Sequence, residues 1–148
     1  MIRIEQATLK DLNELASLFD QYRVFYKKTS DVEGATKFLK ARMDASESII
    51  YVAFNDQQVM TGFTQLYPLF SSTRMKRLWL LNDLFVAPAY RGNGISLALI
   101  DRAKELARQT GAGGLVLETA KTNEVGNSLY PKTGFTNDED HNYYSWDI

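Results

Sequence analysis

The chain has 148 residues, with 17 Lys and Arg against 18 Asp and Glu, for a formal net charge of -1. That length suits one domain over 1–148 with a core large enough to stand without staples, and the near-neutral balance leaves no electrostatic footprint for nucleic acid. Cysteine is absent and His141 is the lone histidine, which excludes disulfides, thiolate and His-cluster metal sites, a Cys nucleophile and a histidine-centred triad.

No apolar run approaches the ~18 residues of a membrane span, and the opening MIRIEQATLKD lacks the apolar stretch of a secretory signal. The expectation is a cytoplasmic protein with no membrane, nucleic-acid or metal partner. Residues 2–4 alternate as a short strand. Thr8 with Asp11 forms a capping-box pattern, and Leu12, Leu15, Phe19, Tyr22 and Tyr26 recur at helical spacing. Ser30 and Glu33 suggest a second capping box, leading a helix through Phe38, Leu39 and Met43.

Three strands are expected next: 49–54, 59–69 after the Asn55-Asp56 turn, and 78–86. Residues 71–76 read as a loop. Arg74, Lys76 and Arg77 within and beside it read as a solvated hairpin. Beyond the loop at 87–93, Ile95, Ala98, Leu99, Ala103 and Leu106 form one helical face, closed by Gly111. A short buried strand at 115–117, a helix over 123–132 ended by Gly134, and an alternating strand over 143–148 complete the order β-α-α-β-β-β-α-β-α-β. This is a mixed α/β sheet flanked by helices. The last strand suits pairing across a two-fold, so a homodimer is expected.

The most informative segment is Arg91-Gly92-Asn93-Gly94-Ile95-Ser96, which follows an apolar strand and opens a helix. The first helical N–H groups lack intrahelical partners and carry the positive end of the macrodipole, so this turn suits an anion. A Walker A loop is excluded because G-x-x-x-x-G-K-[ST] is absent. A dinucleotide fingerprint fails at Leu97, where its third glycine belongs, and a doubly wound domain has no room this late in the chain.

Around the turn stand Asn82-Asp83-Leu84-Phe85-Val86 before it, and Asn123 and Tyr130-Pro131-Lys132-Thr133-Gly134-Phe135 after it. The order D-L-F-V, Y-R-G-N-G-I, N, L-Y-x-x-x-G-F resembles the GNAT superfamily of acetyl-CoA-dependent N-acetyltransferases, over nearly the whole chain. The N-D-L-F-V run, with Phe19-Asp20-Gln21-Tyr22-Arg23 and Phe25-Tyr26, is similar to its histone, polyamine and diamine acetyltransferase branch.

The resemblance implies a mixed sheet with splayed central strands and a coenzyme A site. Arg91, Gly94 and Ser96 match the defined positions of the family's Q/R-x-x-G-x-G/A turn, with Ser96 departing from the usual Gly or Ala. Gly92, Asn93 and Ile95 would add main-chain N–H groups around the diphosphate. Phe85 and Val86 would hold the pantetheine arm through their backbone. Tyr130 matches the general acid near the sulfur, and Asn123 a residue on the coenzyme arm, although a helix N-cap also suits Asn123.

An alkylammonium near pKa ~10.4 must lose a proton before it attacks, and the oxyanion and the departing thiolate must be stabilised. Without Cys an acetyl-Cys intermediate is impossible, so direct transfer in a ternary complex is expected. The resemblance implies Asp83 and Glu118, near the ends of the splayed strands, as candidate bases, and places Tyr22, Tyr26, Glu33, Asn82 and Asp83 in the family's amine-binding region. The competing expectation from another class is a non-catalytic acyl-CoA-binding sensor or interaction module, lacking a working acid and base.

Overall fold

A computed structural model describes residues 1–148. Two segments are each compact in themselves, Met1–Leu117 and Glu118–Ile148.

In the first, strands β1 (Arg3–Gln6), β2 (Ile49–Phe54), β3 (Met60–Ser71), β4 (Lys76–Val86) and β5 (Leu115–Val116) form one sheet in that order. β1 to β4 run antiparallel and β5 joins β4 in parallel. Helices α1 (Leu12–Phe25) and α2 (Val32–Asp44) fill the β1-to-β2 connection, and α3 (Ile95–Gln109) crosses from β4 to β5.

The core follows from periodicity. Leu12, Leu15, Ala16 and Phe19 of α1 join Ala35 and Leu39 of α2 against Ile50, Val52, Phe54, Phe63 and Phe85 of the sheet. Leu15, Leu39, Val52 and Phe63 are inaccessible to solvent, so truncating one leucine costs about 2–5 kcal/mol. α3 buries a second stripe of Ile95, Leu99, Ile100, Ala103, Leu106 and Ala107.

Several local expectations are corrected. Asp11 Oδ2 accepts from Thr8 N–H at 2.9 Å, but the pair heads a 3-10 turn, Leu9–Asp11, and α1 starts after it. The cap of α2 is Asp31, whose side chain accepts from Gly34 N–H at 2.9 Å. Ser30 donates instead to Asp20 Oδ2 at 2.7 Å, and Asp20 Oδ1 accepts from Asp31 N–H at 2.7 Å. Asp20 is buried, and these bonds, the backbone one foremost, hold its carboxyl below the ordinary range. The loop expected at 71–76 shortens to a turn, because β3 runs to Ser71 and β4 begins at Lys76. Arg77 there stacks over Phe70 and Trp79, at 4.9 and 5.2 Å. The strand expected as buried at 115–117 covers only Leu115–Val116 and is half-exposed.

The second segment contains α4 (Glu124–Lys132). Phe135 N–H bonds back to Tyr130 O at 3.0 Å and Gly134 takes φ +92°, a left-handed helix stop. The strand expected over 143–148 is not formed. Tyr144 and Trp146 are exposed, and the Tyr143 hydroxyl donates to Asp138 Oδ2 at 3.0 Å. His141 is exposed, with Nδ1 2.8 Å from Asp138 Oδ2.

Candidate active site

The site is built on the end of β4. Pairing with β5 covers Trp79↔Leu115 and Leu80↔Val116 and stops there, while β4 continues from Leu81 to Val86. Just past that point, β4 bulges. Gln65 pairs with Asp83 and Leu66 with Leu81, leaving Asn82 as the extra residue. A bulge sharpens the local twist and turns a strand away from its neighbour. The two parallel strands are therefore joined at one end only.

β4 leads through the 3-10 turn Pro88–Tyr90 into the glycine loop and α3. Gly92 and Gly94 both take φ +79°, and beyond the glycine and its two chain neighbours no atom lies within 4 Å of where either Cβ would stand. Only glycine adopts that backbone without strain, and the open space lets another molecule approach the main chain. The first intrahelical bond is Ala98 N–H to Gly94 O at 3.1 Å, so the amides of Ile95, Ser96 and Leu97 precede the helix's own bonding. A diphosphate fits this cradle. Asn93 braces it from within, its Nδ2 donating to Tyr90 O at 3.0 Å.

Arg91 turns inward. Its Nε–H donates to Val86 O at 2.8 Å and its guanidinium lies over the rings of Phe25 and Phe85, at 5.2 and 5.4 Å. Phe85 and Val86 are buried at the terminus of β4.

Asp83 is the buried acid of this strand, 5% exposed. Its Oδ2 accepts from Gln65 Nε2 at 2.8 Å and its Oδ1 from Asn82 Nδ2 at 3.2 Å, and the Tyr22 hydroxyl also bonds to it. Burial outweighs these bonds and pushes its carboxyl above the ordinary range. Tyr22 packs edge-on against Phe63 at 5.6 Å and Tyr26 at 5.1 Å, so it belongs to the core and to the rim of the site at once. Tyr26 is half-exposed. Glu33 points to solvent and pairs with Lys37 at 3.0 Å.

In the second segment, Asn123 caps α4: its Oδ1 accepts from Gly126 N–H at 3.1 Å and its Nδ2 donates to Thr119 Oγ1 at 2.8 Å. Tyr130 is half-buried, its ring edge-on to Phe135 at 5.6 Å. Glu118 is exposed.

Sequence reasoning passed over Gln65, Tyr67 and Ser48, which form a polar group around Asp83. Gln65 is fully buried, and Ser48 donates to its Oε1 at 2.8 Å. Tyr67 also bonds to Gln65, and its phenol is pushed up to about 12, first by burial and then by the Asp83 charge. The available signal was a glutamine inside an apolar strand, since a buried amide demands partners.

Residues 13–135 match the acetyltransferase (GNAT) family. An uncharacterised N-acetyltransferase, YhfO of Bacillus subtilis (strain 168), is 44% identical over 147 residues, covering 99% of this chain and 98% of that protein. The crystal structure of a probable acetyltransferase superposes with a TM-score of 0.94 at 42% identity, over 99% of this chain and 97% of the other. A predicted acetyltransferase from Clostridium acetobutylicum, solved with acetyl-CoA, shares the fold with a TM-score of 0.79 at 17% identity, over 98% and 96% of the two chains.

Proposed function

The chain belongs to the acetyltransferase (GNAT) family and is an N-acetyltransferase; we propose that it moves the acetyl group of acetyl-CoA directly to a primary amine in a ternary complex. Acetyl-CoA supplies an activated thioester. The open backbone at Gly92 and Gly94, leading into the unbonded first turn of α3, carries this reading. The amides from Gly92 to Ser96 hold the diphosphate, with Arg91 fixing the loop onto β4. The backbone of Phe85 and Val86 lies on the stretch of β4 beyond its pairing with β5, where an extended arm adds as a further strand.

Asp83 takes the proton from the ammonium, directly or through one water. A carboxylate whose basicity is raised by burial is a better base than the exposed Glu118. Tyr22 and Asn82 orient Asp83, and Tyr26 offers a ring face to the cation. Tyr130 protonates the leaving sulfur. The chain has no cysteine, so no acyl group rests on a thiol of the protein.

The test is an assay of coenzyme A release from acetyl-CoA across a panel of primary amines: polyamines, amino acids, aminoglycosides and lysyl peptides. Amine-dependent release is expected with at least one class. Acetyl-CoA binding, seen as a raised melting temperature, without turnover of any amine would make the protein a sensor and overturn the proposal.

A further inference from the structure

We propose that Gln65 is a positioning residue for Asp83, and that Ser48 anchors the acceptor end of the Gln65 amide behind it. The inference rests on the reading of Asp83 as the base.

Gln65 and Asp83 are opposite one another across β3 and β4. Directly opposed residues share one face of a sheet, so the two side chains meet without solvent: Gln65 is 0% and Asp83 5% exposed. An amide offers one donor end and one acceptor end. Here Nε2 donates to Asp83 Oδ2 at 2.8 Å, while Oε1 accepts from Ser48 Oγ at 2.8 Å. The reversed amide would put Oε1 against a carboxylate oxygen, two acceptors in contact. The ionised carboxylate, an acceptor only, selects this orientation, and Ser48, just before β2, holds the other end of the amide.

The arrangement sets the direction of the Asp83 carboxylate and bears on its titration. A donor aimed at one oxygen favours the ionised form and opposes the effect of burial. It also leaves Oδ1 as the oxygen turned toward Asn82, which is exposed. The Gln65 donor, held from behind by Ser48, therefore offsets part of the effect of burial on Asp83 and fixes the direction of its carboxylate.

The other groups around Asp83 do not compete for this titration. Tyr22 of α1 approaches as a hydroxyl donor. Tyr67 of β3, with its phenol at about 12, stays neutral throughout an assay between pH 5 and 9. Arg42 of α2 and Glu47 act on Tyr67 with opposite signs. Asp83 is thus the group that Gln65 controls.

The test is the pH profile of kcat/KM for the best amine in the wild type and in Gln65→Met, Ser48→Ala, Ser48→Thr and Asp83→Asn. Gln65→Met keeps the volume and removes the donor, and its acidic limb moves to higher pH, with kcat/KM on that limb down roughly tenfold. Ser48→Ala lies at a half-buried position just before β2 and spares the core; its limb moves the same way by less, and Ser48→Thr restores it. Acidic limbs of Gln65→Met and Ser48→Ala that coincide with the wild type, in an enzyme that Asp83→Asn inactivates, overturn this inference alone. Wild-type turnover in Asp83→Asn overturns the base reading and this inference with it.

Discussion

Arg91 Nε–H donates to the carbonyl of Val86, tying the glycine loop to the last residue of the strand that feeds it. The charge above Phe25 and Phe85 adds a cation–π clamp of about 1 kcal/mol. Lysine keeps the charge but has neither the Nε–H nor the plane. Arg91→Lys is therefore expected to weaken acetyl-CoA binding about tenfold by titration calorimetry, with the glycine backbone left less fixed. An unchanged dissociation constant would show that the loop holds its shape unaided.

Asp83→Asn separates activity from stability. Loss of the base lowers kcat by roughly 10²–10⁴. Burial places the Asp83 carboxyl above its ordinary value in the fold. Its contribution is therefore fully present below the unfolded value of ~3.9 and is lost as pH rises through the folded value. Wherever the buried carboxyl is ionised, its charge is a cost that asparagine removes. The melting temperature of Asp83→Asn at pH 7 is expected to equal or exceed that of the wild type, and a large fall in calorimetry would assign Asp83 to the framework.

Asp20 has the opposite sign. Hydrogen bonds from Asp31 N–H and Ser30 hold its carboxyl below the ordinary range. Its contribution is present above ~3.9 and disappears as pH falls through the lowered value. Asp20→Asn is expected to lose about 1 kcal/mol at pH 7, a drop in melting temperature of roughly 2–4 °C. The gap from wild type narrows as the acid range is entered. A constant gap down to pH 3 would refute the linkage.

Tyr130→Phe keeps the ring that meets Phe135 edge-on and removes only the hydroxyl. Turnover is expected to fall roughly 10²-fold with the acetyl-CoA dissociation constant unchanged. Equal turnover with a good amine would leave the leaving thiolate to water.

The sequence disclosed whatever rests on short-range chemistry. The stripe of Leu12, Leu15 and Phe19 became the buried face of α1 because three-and-four spacing has one helical solution. The glycine turn was legible because its geometry is local. Ser30 and Asp31 are neighbouring residues of equal capping quality, and Asp20, ten residues earlier, chose between them by engaging the Ser30 hydroxyl. Alternation over 143–148 describes a segment able to pair, but a strand needs a partner, and none takes that role here. Gln65 escaped notice because its partners, Ser48 and Asp83, are set by strand register, which a single sequence leaves open.

The extra residue in β4 has a consequence for engineering. Asn82 interrupts the β3–β4 ladder two residues past the last β4–β5 pair, so the course of the strand's end depends on residue count as well as on residue identity. Excising Asn82 would let β4 run in unbroken register with β3 and remove the added twist from its last residues, the stretch that the proposed coenzyme arm would have to meet.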